Sequence, residues 1–342
     1  MHIPDGYLSP ATCAVMYGAA APFWYYAGRR VKRVLTSRTA PLVAVSAAFV
    51  FTIQMFNIPV PGGTTAHPVG GTLMAIVVGP WAAILGVSVA LVIQALFFAD
   101  GGITAIGANV FNMAVALPLT GYAVYRLLGG KSMSSTRRIV AAAAGSYVGI
   151  NVAALLTALE LGIQPIFWSI DGRALYNPYA LSTTVPVMAL THLTIAGFAE
   201  AAVTGLAVAY LSRAFPALLE LPVGATGQHQ LGRAGWVLAG LLGALALLSP
   251  LGLLAPGVAD FEWGVEELEA LVGYVPEGLS SLADVWHLAP LPDYQLPWLS
   301  TEAGFLEQSV GYILSAVFGA ALIFVVFMAA RLALSRSGTS AE

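Results

Sequence analysis

The sequence predicts an all-α polytopic membrane protein, built as a seven-helix bundle followed by a two-helix hairpin with an outer loop. Of its 342 residues, 58% are hydrophobic and only 9% are charged, whereas soluble globular domains carry about 25% charged residues. Several apolar runs reach about 20 residues, the length that crosses the hydrocarbon core of a bilayer as a helix. The single cysteine, Cys13, excludes an intrachain disulfide and a thiolate metal cluster.

Nine apolar segments give the predicted helices in chain order. They are residues 9–28, 40–57, 70–79, 81–99, 106–128, 139–161, 186–211, 235–254 and 306–331. The third segment is too short to cross a bilayer alone, and Gly79-Pro80 ends it because proline breaks a helix interior. Residues 70–99 therefore predict a half-span and a full span joined by a tight turn, an arrangement that suits a site-lining element.

Lysine and arginine predict the orientation, because basic residues stay on the cytoplasmic side of short loops. If the short third segment counts as a crossing, thirteen of the 14 basic residues fall on one face. These are Arg29, Arg30, Lys32, Arg33, Arg38, Arg126, Lys131, Arg137, Arg138, Arg213, Arg233, Arg331 and Arg336. Only Arg173 falls on the other face. We therefore expect a multi-pass protein of the plasma membrane with Met1 extracellular and Glu342 cytoplasmic.

The opening pair Met1-His2 predicts a metal chelate. No signal peptide is recognisable ahead of the first apolar run, and the bulky His2 should prevent removal of the initiator methionine. The α-amino group, the His2 peptide nitrogen and the His2 Nδ1 atom can then close fused rings around one ion. This nearly planar nitrogen set is typical of Ni(II) or Cu(II), whereas zinc prefers a tetrahedron. The alternative is a disordered terminus, against which Pro4 and the apolar Tyr7-Leu8 argue.

A planar site needs a fourth ligand, and His67 is the candidate. This histidine lies in the glycine-rich loop 57–69, which shares the predicted outer face with Met1. Glycine allows the loop to turn tightly and to approach another backbone. The alternative is an ordinary solvated surface histidine.

Two ionisable residues of the seventh segment, His192 and Glu200, are candidates for a supporting role, because such groups inside a membrane are costly. They are eight residues apart and share roughly one side of the helix. They could orient a metal ligand, pair with each other, or belong to a buried polar network that ties helices together. Further candidates for supporting the ligands are Asp5, Thr64, Thr65, Asn109 and Asn112.

At this point the chain resembles the M components of nickel and cobalt transporters of the energy-coupling-factor (ECF) type, NikM and CbiM. The matching segments are residues 1–8, the turn that carries His67, and residues 191–201. The resemblance covers about residues 1–213 and implies an S component, the membrane subunit that captures the substrate. It also implies a planar nitrogen site at Met1, His2 and His67, with Ni(II) or Co(II) as the transported substrate and no catalytic cofactor. Implied partners are a transmembrane coupling (T) subunit and separate ABC ATPase subunits.

The C-terminal part is similar to the small N component of the same transporters, which has two membrane helices. Residues 274–279 resemble its Pro-Asp-Gly-Leu signature, with Glu277 in place of aspartate. The predicted domains are thus the metal-capturing domain 1–213, a cytoplasmic linker 214–234, and an N-type domain 235–342 with an acidic outer loop 255–305. The acidic side chains of this loop, among them Glu262 and Glu269, would raise the local cation concentration. Alternatively, the loop is simply solvated.

Several other functions remain as alternatives or are excluded. Residues 129–132 resemble the end of a phosphate-binding loop, but Tyr125 replaces the required first glycine, so we expect no ATP hydrolysis by this chain and no enzyme activity. A stand-alone secondary metal carrier would require more charged residues within the spans. A metal-dependent membrane enzyme would require an open coordination position. Planar four-nitrogen geometry favours nickel, and the Ile3-Pro4-Asp5 opening is similar to that of the nickel-type members of the family. Cobalt uptake for cobalamin synthesis is the alternative, and no nucleic-acid partner is expected.

Overall fold

The computed structural model describes residues 1–32, 39–61, 63–129, 134–220, 228–255, 257–283, 285–299 and 303–338. Part of the predicted linker therefore lies outside the described residues, as do the phosphate-loop-like residues 130–132. The basic residues Arg33, Arg38 and Lys131 also lie outside them. The side chains of Arg233 and Arg336 are likewise not described.

Two helices and a hairpin open the fold. Helix α1 is Pro10–Val31; Ser9 caps it, because the Ser9 hydroxyl accepts the amide proton of Thr12 at 3.1 Å. Helix α2 is Ala40–Gln54. The antiparallel strands β1, Ile58–Val60, and β2, Thr64–Ala66, then pair with Ile58 opposite Ala66. The hairpin delivers the chain directly to His67.

The predicted break between a half-span and a full span is present. Helix α3, Gly71–Val78, ends at Gly79, whose φ of 87° is a left-handed value that favours glycine. Helix α4, Pro80–Phe98, starts at the next residue, with proline at its first position. The first residue of α3, Gly71, therefore follows His67 by four residues.

The middle of the chain forms three long helical segments, two of which contain π-helical turns. Their parts are α5 (Ile106–Asn109), a π-helical turn (Val110–Ala116), α6 (Leu117–Gly129), α7 (Ser135–Gly162), α8 (Gln164–Phe167), α9 (Leu181–Thr191), a second π-helical turn (His192–Ala196) and α10 (Gly197–Ala214). Between α8 and α9 lies a short hairpin, with β3 at Ser169–Ile170 and β4 at Arg173–Ala174. The segment predicted at 186–211 thus starts five residues earlier, at Leu181.

The C-terminal part packs two helices against α2, and the described part of the loop between them contains short helices. Its elements are α11 (Ala217–Glu220), α12 (Gln228–Leu248), a 3₁₀ turn (Ser249–Leu254), α13 (Val265–Val272), α14 (Glu277–Leu282), a 3₁₀ turn (Pro292–Tyr294) and α15 (Phe305–Gly338). Both α12 and α15 contact α2. Helix α15 approaches so closely that a Cβ atom at Gly319 would lie 2.2 Å from the Phe51 ring.

Within the described residues, five helical stretches are long and apolar enough to cross a membrane, which makes this a multi-pass membrane protein. They are Pro80–Phe98, Ser135–Phe167, Leu181–Ala214, Ala234–Leu254 and Phe305–Leu334. Helix α2 is apolar but shorter. The mostly helical membrane fold expected from composition is confirmed, whereas the count of seven helices plus a hairpin stays a prediction.

Candidate metal centre

The amino-terminal segment lies inside the protein. Met1, His2 and Ile3 are only 6%, 4% and 1% exposed. Ile3 is fixed through its backbone: Asn109 Oδ1 accepts the Ile3 amide proton at 2.8 Å, and Asn109 Nδ2 donates to the Ile3 carbonyl oxygen at 3.1 Å. The Gly102 amide donates to the same carbonyl at 2.8 Å. The backbone of Ile3 is therefore fixed by three hydrogen bonds, and the first three residues are not a frayed end.

A turn after Pro4 is fixed from both sides. The Asp5 carboxylate accepts amide protons from Ile103 at 3.0 Å and from Thr104 at 2.7 Å. A Cβ atom at Gly102 would lie 2.3 Å from the Asp5 nitrogen, so the chain passes here only because position 102 is glycine. Asp5 thus positions the amino terminus through the 101–104 loop, which follows the C-terminal end of α4.

His2 and His67 meet although 65 positions separate them in the sequence. Their ring centroids are 5.1 Å apart with an interplanar angle of 26°, and His67 is 6% exposed. The Nδ1 atom of His67 lies 3.2 Å from the Pro68 carbonyl oxygen. If Nδ1 carries the proton of this hydrogen bond, the lone pair of Nε2 is available to bind a metal ion. Burial and the nearby amino-terminal charge lower the pKa of His2 to about 3 and that of His67 well below its usual value. Both rings are therefore neutral at neutral pH, the form that binds metal.

Glu200 anchors the loop that carries His67. Its carboxylate, which is fully buried, accepts the Val69 amide proton at 2.7 Å and the Gly70 amide proton at 3.0 Å. Charge-assisted hydrogen bonds of this kind are about twice as strong as neutral ones. A residue of α10 thus fixes the backbone two residues after the histidine.

Replacing this anchor should weaken metal binding without removing a ligand. In Glu200→Gln, the side-chain NH2 group cannot accept a hydrogen bond, so at least one bond from the Val69 and Gly70 amides is lost. We expect the nickel affinity to fall by roughly 10- to 100-fold, as for other residues that support metal ligands. Isothermal titration calorimetry checks this value. Glu160→Gln, which neutralises another buried carboxylate that bonds Asn112, is the matched control; an equal loss in both variants would contradict the role of Glu200.

Two carboxylates face the nitrogen donors of the first two residues. Glu262 Oε1 lies 3.2 Å from the Met1 amino nitrogen, and Asp100 Oδ1 lies 3.1 Å from His2 Nδ1. Burial raises the pKa of Glu262 to about 7, although the amino-terminal charge opposes this shift, and burial also raises the pKa of Asp100. The hydroxyl group of Tyr294 donates a hydrogen bond to Asp100.

A cavity of about 410 Å³ lies between His2, His67, Asp100 and Glu262. The domain that contains the amino terminus contributes Gln54, His2, His67 and Asp100 to the wall, and the C-terminal part contributes Glu262, Asp293, Tyr294 and Tyr312. His2 Nε2 and the side-chain oxygen of Gln54 are buried in this wall without a hydrogen-bond partner among the described atoms. Across the described residues, no group of three or more His, Cys, Asp or Glu side chains has the arrangement of a metal site.

The other predicted supporting residues divide into two sets. Thr65 lines the cavity, while Thr64 pairs with Val60 in the hairpin. Asn112 instead bonds Thr157 at 3.1 Å and Glu160 at 2.9 Å, both on α7. His192 bonds the Met188 carbonyl oxygen of its own helix at 2.9 Å, so it neither pairs with Glu200 nor reaches the cavity.

With this geometry in place, the chain can be compared with known proteins. The family model described as "Cobalt uptake substrate-specific transmembrane region" (CbiM) matches residues 2–218. The chain belongs to the CbiM family. A PDGLE domain model matches residues 234–336 of this CbiM-family chain.

Relatives of this CbiM-family chain share both parts. The chain is 49% identical over 341 residues to the fused nickel transport protein NikMN of Rhodobacter capsulatus, covering 94% of this chain and 95% of the relative. It is 44% identical to the probable fused nickel transport protein LarMN of Lactiplantibacillus plantarum, with 96% of each chain covered. A crystal structure of a transition metal transporter is 51% identical, with a TM-score of 0.59, over 62% of this chain and 93% of that one.

Several residues of this CbiM-family cavity were not predicted from the sequence: Gln54, Asp100, Tyr294 and Tyr312. Glu262 and Asp293 were noted only as two of many acidic residues of the outer loop. A signal for Asp100 was present, because it ends the apolar run of α4 on the predicted outer face, next to two glycines. The other residues lie within apolar segments or in the long loop, where their spacing gives no indication of a shared site.

Proposed function

We propose that this chain is the substrate-binding membrane subunit of an ECF-type importer for nickel ions. The observation that carries the proposal is that buried His2 and His67 line one cavity, with the buried Met1 amino group 3.2 Å from Glu262 in its wall. The relatives from R. capsulatus and L. plantarum, both named as nickel transport proteins along nearly their full lengths, support it. The function is capture and delivery of a metal ion rather than catalysis.

The proposed ligands are four nitrogens: the Met1 amine, the His2 peptide nitrogen, His2 Nδ1 and a ring nitrogen of His67. In support, Asn109 and Asp5 fix the backbone on one side, and Glu200 fixes it on the other. Planar nitrogen ligation favours Ni(II), and the neutral state of both imidazoles removes the proton competition that a charged ring would impose. In the metal-free form Glu262 contacts the Met1 amine and Asp100 contacts His2 Nδ1. Metal binding must displace both contacts.

The rest of the transporter is proposed from the same reasoning. Met1 faces the extracellular side and Glu342 the cytoplasm, in line with thirteen of the 14 basic residues on one face. ATP hydrolysis takes place on separate ABC ATPase subunits, reached through a transmembrane coupling subunit. The small residues Ala11, Ala14 and Gly18 of α1 are exposed, and they form a surface on which another membrane helix can pack closely. Residues 1–213, 214–234 and 235–342 are the proposed capture domain, linker and N-type domain.

Cobalt is the second candidate substrate. The description of the matching family names cobalt uptake, and a 35% identical relative from Geobacter sulfurreducens is named a cobalt transport protein CbiM. Nickel is preferred because the relatives that match both parts of this chain carry nickel in their names.

Metal titration of the purified full-length protein tests the function. We expect one Ni(II) ion per chain, bound in a diamagnetic square-planar state with a visible absorption band, since four nitrogen donors in a plane favour that state. Co(II) titrated under the same conditions should bind more weakly. A failure to bind either ion, or a paramagnetic octahedral nickel spectrum, would contradict the proposed site.

A further inference from the structure

The outer loop of the C-terminal domain contacts both residues that open the chain. Glu262 is bonded to the Met1 amino group at 3.2 Å. Tyr294 donates to Asp100, whose other carboxylate oxygen lies 3.1 Å from His2 Nδ1. One loop therefore reaches the amine directly and the imidazole through one intermediate side chain.

Hydrogen bonds on both sides of Glu262 fix this part of the loop. The Thr65 amide donates to the Val258 carbonyl oxygen at 3.1 Å, and Thr65 lies two residues before His67. Thr191 Oγ1 donates to Asp260 at 2.8 Å, and Tyr7 donates its hydroxyl proton to the Trp263 carbonyl oxygen at 2.8 Å. Glu262 thus belongs to a docked segment rather than to a freely moving acidic chain.

Backbone strain marks the same contacts. Five non-glycine residues of the described chain have positive φ, and four of them adjoin these contacts: Ala99 at 55°, Phe261 at 66°, Asp293 at 51° and Tyr294 at 61°. Ala99 precedes Asp100, and Phe261 precedes Glu262. Non-glycine residues in this region are held there by the surrounding structure, and they cluster at functional sites.

We propose that Glu262 and Tyr294 are positioning residues, by which the C-terminal domain holds the amino terminus beside the cavity before the metal arrives. The amine is the end of a chain and would otherwise sample solvent. Keeping it beside His2 and His67 prepares the donors for capture and speeds association. The role of these residues in metal capture rests on the proposed function, whereas the contact of Glu262 with the amine does not depend on it.

A long-range effect of loop charge is the main competing explanation, and a matched variant separates the two. Glu269 is an exposed glutamate of the same loop. Glu262→Gln and Glu269→Gln each replace one loop carboxyl group by an amide, but only the first removes the carboxylate from the amine. The two proteins are compared above about pH 8, where Glu262 is ionised despite its raised pKa. The docking explanation predicts an effect of the first substitution alone.

Acylation of the amine tests docking without any metal. The full-length protein in detergent is treated with a limiting amine-acylating reagent, and modification of Met1 is followed by peptide mass spectrometry with the exposed Lys32 as internal reference. We expect the Met1 amine to react about tenfold faster in Glu262→Gln and Glu262→Ala than in the wild type, because a charge-assisted contact is lost. Glu269→Gln should match the wild type. Equal rates in all four proteins would overturn the inference.

Stopped-flow nickel binding tests the consequence for capture. Glu262→Gln and Tyr294→Phe should each lower the association rate constant by about tenfold, the lower end of the effects of supporting residues, while Glu269→Gln leaves it unchanged. An equal decrease of the association rate constant in Glu269→Gln would overturn the inference and favour a long-range effect of loop charge. If the wild type bound no nickel but acylation still depended on Glu262, the proposed function would fail and the docking would stand, so the two failures are distinguishable.

Discussion

Extending the amino terminus by two residues should abolish high-affinity nickel binding. A Gly-Ser dipeptide placed before Met1 converts the donor amine into an amide, and it must fit where the protein already buries Met1, which is only 6% exposed. Loss of a residue that only supports a metal ligand costs about 10- to 100-fold in affinity. Loss of the ligand itself together with the steric conflict should therefore exceed about 100-fold, as measured by calorimetric titration of the purified protein.

The length of the extension matters for this test. A single added residue would put His2 third in the chain, and an amino-terminal tripeptide that ends in histidine can itself form a planar nitrogen chelate. Two added residues avoid this. The control carries the same Gly-Ser dipeptide after Glu342 and should bind nickel as the wild type does. Native affinity in the amino-terminally extended protein would rule out the amine as a ligand.

His67→Ala should have an effect of similar size. This substitution removes the only proposed ligand that lies outside the first two residues, and it leaves three nitrogens with an open position that water can occupy. We expect at least about 100-fold weaker nickel binding and a change of the visible spectrum away from the square-planar form. Folding should be retained, because Glu200 bonds the backbone of this loop rather than the histidine.

His287→Ala is the matched control for this substitution. His287 is an exposed histidine of the C-terminal outer loop, and its replacement removes the same type of side chain. Unchanged nickel affinity is expected. If His67→Ala and the control bound nickel equally well, the fourth ligand would have to come from elsewhere in the cavity, with Asp100 as the nearest candidate to His2 Nδ1.

The sequence was informative where a chemical requirement is local. Hydropathy located the apolar helices, and Gly79-Pro80 located the break between α3 and α4, because proline and positive φ impose direct limits on the backbone. Met1, His2 and His67 could be selected from donor chemistry alone. Their closeness could not be derived from it, since a ring contact across 65 positions depends on how α2 and the β-hairpin place the loop.

The supporting residues were harder to predict for a physical reason. Asn109 and Glu200 were selected because polar groups in apolar helices are costly, and both proved to bond backbone beside the candidate ligands. The same argument selected Asn112 and His192, whose partners lie elsewhere. The free-energy cost of burying a polar group shows that it has a hydrogen-bond partner. Which partner it has depends on how the helix is rotated about its axis. The π-helical turns at 110–116 and 192–196 alter that rotation and leave no trace in hydropathy.

The contact between Glu262 and Met1 joins two residues of a single polypeptide that are 261 positions apart. Their encounter is therefore unimolecular, with an effective concentration set by the intervening chain rather than by the abundance of a second subunit in the bilayer. A fused protein of this kind keeps a fixed ratio of one outer loop to one amino terminus, even when the cell makes very few copies of it.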